Sequence, residues 1–158
     1  MVPGLVQTPA YAREALSLPA GPRLLGATPE QIEEKIAAQD RRQQVLYEPG
    51  KQIRLVIGEA ALHTRFGSAD VLAGQRDRLV TVSGLATVEI RVLPFAAPSP
   101  VLPLAGFVLA DDESAWVETI AGDSQVQDPS EIALYVAAFA AIWRAAVHVT
   151  EVVAMTRP

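Results

Sequence analysis

The chain has 158 residues, enough for one domain with a real core; half are hydrophobic and a fifth charged, as in ordinary soluble proteins. A net charge of −5 and a pI near 5.0 exclude a clustered basic grip on DNA or on an anionic membrane. The lack of cysteine excludes disulfides, thiolate metal sites and cysteine nucleophiles, and fits a reducing cytoplasm.

The N-terminus has no basic segment leading into an apolar run, so it does not read as a signal peptide. Residues 2–9 carry two prolines and a glycine and open the chain with a turn. Thr8 then caps a helix from Pro9 to about Leu16, with Tyr11, Ala15 and Leu16 on its apolar side. Pro19, Gly21 and Pro22 make residues 18–26 a loop. Thr28, Pro29 and Gln31 form a capping box for a second helix carrying Ile32, Ile36, Gln43 and Leu46, ended by Pro49-Gly50.

Residues 53–57 form an apolar run apart from Arg54, read as a strand covered on both faces. A short helical turn (Glu59–His63) and a helix from about Ala69 to Ser83, capped near Ser68, lead to an alternating strand at residues 87–93. Two strands joined by such a crossover pair in parallel with a right-handed connection. Prolines 94, 98, 100 and 103 keep the next segment out of any central strand. Gly106–Ala110 and Ala115–Ile120 read as a hairpin, and Asp128-Pro129-Ser130-Glu131 as another capping box. The helix it opens has a broad apolar face (Ile132, Tyr135, Val136, Phe139, Ile142, Trp143, Ala146) and reads as an interior packing helix, not a membrane span. Thr150–Thr156 form a short final helix. The expected architecture is a single mixed α/β (α+β) domain over residues 1–158. It has one mixed sheet of about four strands around the β-α-β crossover, packed by N- and C-terminal helices.

Chemistry-bearing groups are few. His63 follows Glu59 by four residues, a spacing that brings both to one helical face for acid–base work, or leaves a solvated pair beside Arg65. His148 reads as a core-edge or surface histidine. Neither H-E-x-x-H, a phosphate-binding glycine loop nor G-x-S-x-G is present, so no metal or cofactor site is expected. If the strands bearing them are neighbours, Glu89, Arg91, Trp116 and Glu118 line one sheet face suited to a small organic ligand; otherwise they are cross-strand surface pairs. The basic tip at 39–43 reads as a solvated face.

Seven stretches carry a resemblance: "VPGLVQTPAYAR" (2–13), "RRQQVLYEP" (41–49), "VIGEAALHTRFG" (56–67), "VEIRVLPF" (88–95), "GFVLAD" (106–111), "VETIAG" (117–122) and "DPSEIALYVAAFAAIWRAAV" (128–147). In this order they resemble the C-terminal domain of unknown function in actinobacterial Xre-type helix-turn-helix regulators of the WhiJ-like kind. The resemblance implies an effector domain that senses a small molecule or a small partner protein and helps dimerise. In those regulators a DNA-binding helix-turn-helix precedes the domain. It also marks Gln7, Arg13, Arg41, Gln43, Glu59 and Glu118 as pocket or scaffold positions. The chain departs from the pattern at Gln39, where arginine is usual, and in His63, Trp116, Trp143 and the proline-rich loop after Phe95. It starts directly on the "PGL" motif, so the DNA reader is expected to be absent, by excision or by loss.

The resulting expectation is a cytoplasmic, homodimeric ligand- or partner-binding domain with no direct nucleic-acid or membrane binding. Its ligand-binding candidates are Glu59, Arg91, Trp116 and Glu118. The alternative is a cofactor-free cyclase, isomerase or dehydratase of specialised metabolism, using Glu59, His63, Arg65, Glu89 or Glu118. A third reading is an interaction protein that pairs with full-length relatives.

Overall fold

The computed structural model describes residues 1–18, 27–102, 105–119 and 122–155. In chain order these form a 3-10 turn (Gly4–Val6), α1 (Pro9–Leu16), α2 (Pro29–Arg42), a second 3-10 turn (Gln43–Tyr47), β1 (Ile53–Gly58), α3 (Ala60–His63), α4 (Ala69–Val82), β2 (Val88–Leu93), β3 (Phe107–Ala110), β4 (Ser114–Thr119), β5 (Gly122–Val126), α5 (Pro129–Ala145), β6 (Val147–His148) and α6 (Val149–Met155). The fold is mixed α+β, as expected. Its strands lie in two three-stranded sheets, β1-β2-β6 and β3-β4-β5, not in one of about four. The reason is local: β5 pairs back onto β4, so the hairpin completes a sheet of its own. The chain divides into two compact units, residues 1–95 with 147–158, and residues 96–146.

In the first unit β1 and β2 pair in parallel with Ile53 opposite Val88 and Gly58 opposite Leu93, joined through α3 and α4. β6 adds antiparallel to β2 at Arg91 and Val92. Alternation in β2 sends Val88, Ile90 and Val92 into the core, where they meet Leu72, Leu79 and Val82 of α4 and Val149, Val152 and Val153 of α6. Burying each such aliphatic side chain contributes roughly 1.5–3 kcal/mol. β1 is an edge strand, so of its apolar run only Ile57 is fully buried and Arg54 is exposed; coverage of both faces does not occur. Capping is as read: Thr8 Oγ1 accepts from the Tyr11 N–H, Ser68 Oγ from the Val71 N–H, and Thr28 and Gln31 form the reciprocal box. Arg13 and Glu33 tie α1 to α2 by two bonds of 2.6 and 2.8 Å. The loop expected over 18–26 lies outside the described residues beyond Leu18.

In the second unit Phe107 stands opposite Val117, and Trp116 opposite both Val108 and Gln125. Asp111 and Asp112 take positive φ (53° and 57°), the left-handed turn conformation that Asp tolerates, and the Glu113 N–H donates to the Ala110 carbonyl. One sheet face carries Phe107, Leu109 and the fully buried Ala115, and Phe107 packs on Tyr135 of α5 at 5.1 Å between ring centroids. The Asp128 carboxylate caps α5 by accepting from the Ser130 hydroxyl and from the Ser130 and Glu131 N–H groups, and these bonds, the hydroxyl's first, hold its pKa below the ordinary 3.8. Within α5 only Ile132 is fully buried, and Tyr135, Val136, Phe139, Ile142 and Trp143 are half-buried. The broad apolar face therefore does not make an interior helix; a thin three-stranded sheet covers only part of it.

Candidate functional site

Glu59 and His63 sit where the parallel strands β1 and β2 end, the side on which open sheets with crossover helices present ligand crevices. The Glu59 N–H donates to the Leu93 carbonyl (3.0 Å), while its Oε2 accepts the Phe95 N–H at 2.7 Å. Its Oε1 lies 3.4 Å from His63 Nε2, and the His63 ring stacks on Phe95 with centroids 6.0 Å apart. The pairing anticipated from the four-residue spacing thus forms, but both carboxylate oxygens are engaged. Glu59 fastens the chain leaving β2. The His63 side chain is 45% exposed, so one side of its ring stays open to solvent. Arg65 is exposed beyond α3.

Glu89 and Arg91 project from one face of β2 and pair with each other, Arg91 Nε and Nη2 each 2.8 Å from Glu89 Oε1. Arg91 stands opposite His148 of β6, whose Nδ1 lies 2.8 Å from Thr150 Oγ1. Trp116 and Glu118 belong to the other sheet. The four residues therefore do not line one sheet face, because β2 and β4 are not neighbours. The Glu118 N–H donates to the Gly106 carbonyl (2.8 Å), and its carboxylate lies over Gly106 so closely that an added Cβ would meet Oε2 at 2.6 Å. Trp116 shares the face opposite α5 with Val108, which is 52% exposed, and with exposed Gln125. Among the described residues no three His, Asp or Glu side chains are disposed to hold a metal ion, and no helix is long and apolar enough to cross a membrane.

Sequence reasoning missed a glutamine network. Gln75 is fully buried on α4; its Oε1 accepts the Thr8 N–H (2.7 Å) and its Nε2 donates to the Val6 carbonyl (2.9 Å). Gln7 Nε2 donates to the Val2 carbonyl, and Gln43 Nε2 to the Gly4 and Gln7 carbonyls. Gln39 donates to the Gly4 carbonyl and to Gln7 Oε1, an arrangement that an arginine would have to remake. Arg78 joins Gln43 Oε1 to the Tyr47 hydroxyl. The Tyr11 phenol accepts the Val2 N–H, and burial pushes its pKa up. Gln7 and Gln43 are thus scaffold groups, Arg13 binds Glu33, and Arg41 is exposed on α2. The available signal was the position of Gln75 in the series Leu72, Gln75, Leu79 and Val82, a polar residue at core spacing.

The profile of a family described as a domain of unknown function (DUF5753) matches residues 1–157. The chain belongs to that family. The DUF5753 match takes in both units and every candidate residue above. No curated protein and no solved structure matches the chain.

Proposed function

We propose that this DUF5753 chain is a non-catalytic effector domain of the Xre-regulator kind that binds a small partner protein. The observation that carries the reading is the Val108–Trp116 cross-strand pair on the face of the second sheet turned away from α5. A large amphipathic ring such as the Trp116 indole is a frequent anchor of protein interfaces, and the exposed Val108 beside it adds apolar surface. Exposed Glu118 and Asp123, directly opposite each other on β4 and β5, rim that face with like charges that a basic partner would relieve. The engagement of both Glu59 oxygens supports a scaffold role for that carboxylate in place of a base. The test is co-purification from the host with the wild-type chain and with Trp116→Ala, weighed by mass. Stoichiometric retention of one small polypeptide by the wild type alone supports the reading; equal retention by both chains sinks it.

A second reading, a cofactor-free enzyme, is favoured by the solvent access of the His63 ring beside Glu59. It predicts turnover of a host metabolite that Glu59→Gln or His63→Ala abolishes.

A further inference from the structure

One flank of α5 bears a concavity of about 340 Å³ lined by exposed Glu131 and Leu134 and by half-buried Tyr135 and Ala138. These are residues i, i+3, i+4 and i+7 of one helix, the four that make the socket for a knob from a facing helix. Leu134 is itself 70% exposed, and it starts a stripe with Ala138, Ala141 and Ala145, spaced four, three and four residues apart. Knob and socket therefore lie on the same helix, which is the signature of a self-complementary surface.

We infer that α5 pairs antiparallel with α5 of a second copy of this chain. Pairing with Ala138 and Ala141 at the centre sets Leu134 of each helix over Ala145 of the other, so large meets small and the backbones approach closely. The charges select this direction. Asp128 and exposed Glu131 occupy the N-terminal end of α5 and exposed Arg144 its last turn, so antiparallel packing puts the acidic end of one helix beside the basic end of the other. Parallel packing would juxtapose like ends and align the helix dipoles unfavourably. The inference stands on the helix geometry and is independent of the sheet face proposed to hold the partner protein.

The experiment is sedimentation of the full chain at about 100 µM, a concentration that populates complexes with micromolar dissociation constants. Wild type is expected at twice the 16.9 kDa chain mass, and Leu134→Glu at the chain mass with an unchanged far-UV spectrum. Because the natural chain has no cysteine, Ala138→Cys chains mixed with Ala141→Cys chains report the register. Antiparallel pairing gives a disulfide dimer from the mixture in preference to either variant alone. A wild-type monomer, a dimer indifferent to Leu134→Glu, or cross-linking of Ala138→Cys alone as efficient as the mixture would overturn the inference.

Discussion

Gln75 and Thr8 are joined across 67 positions of sequence: the Gln75 side-chain oxygen accepts the Thr8 backbone N–H at 2.7 Å, while its nitrogen donates to the Val6 carbonyl. One amide thus meets both needs of a buried backbone turn that no helix or strand satisfies, and it docks the N-terminal segment on α4. Replacing Gln75 by Leu keeps the volume but leaves the buried Val6 carbonyl and the part-buried Thr8 N–H without their side-chain partner. We expect Gln75→Leu to lower unfolding stability by roughly 2–4 kcal/mol in urea titration, against under about 0.5 kcal/mol for Ala at exposed Gln44.

Gly67 and Gly106 are both crowded, for different reasons. Gly67 has φ +76°, and an added Cβ would also meet the Glu14 side chain at 2.7 Å, whereas Gly106 is opposed by the Glu118 carboxylate alone. Gly67→Ala is expected to cost about 1 kcal/mol, mostly from the backbone, and to keep that cost in a Glu14→Ala background. Gly106→Ala should be relieved in a Glu118→Ala background. Double-mutant cycles by thermal melting distinguish the two.

The Asp128 cap sets a pH dependence. Its carboxyl is held below 3.8 chiefly by hydrogen bonding to Ser130, so the cap's contribution is complete above that ordinary value and is lost as pH falls through the lower folded value. Asp128→Asn keeps an acceptor oxygen and has nothing to titrate. Acid melts should therefore show a shallower loss of stability in the Asn variant below about pH 4.

Glu59 supplies the acceptor for the Phe95 N–H at 2.7 Å. In Glu59→Ala that amide should exchange with solvent about tenfold faster, while Glu59→Gln, which retains a carbonyl oxygen, should leave it near wild type. Equal acceleration in both variants would show that the His63 pairing, not the Phe95 bond, holds the segment.

The local grammar of this chain was legible: the caps at Thr8, Thr28 and Ser68, the parallel crossover and the Glu59–His63 pair follow from residue types at fixed spacing. What stayed hidden depends on pairing between distant segments. β5 (Gly122–Val126) is polar and mostly exposed, so nothing in its composition marks it as a strand; pairing with β4 makes it one. With β3 and β4 it makes up a second sheet, so Trp116 and Glu118 belong to a different sheet from Glu89 and Arg91. Gln75 looked like one polar residue on an amphipathic helix, because its two partners lie 67 and 69 positions away.

Partner binding and catalysis are told apart by native mass spectrometry of the chain in host extract, with free metabolites followed over hours by chromatography. A partner-binding effector domain retains one polypeptide, loses it in Trp116→Ala, and leaves the metabolite profile unchanged. A metabolite consumed in many-fold excess over the protein, with conversion abolished by Glu59→Gln, would contradict that role.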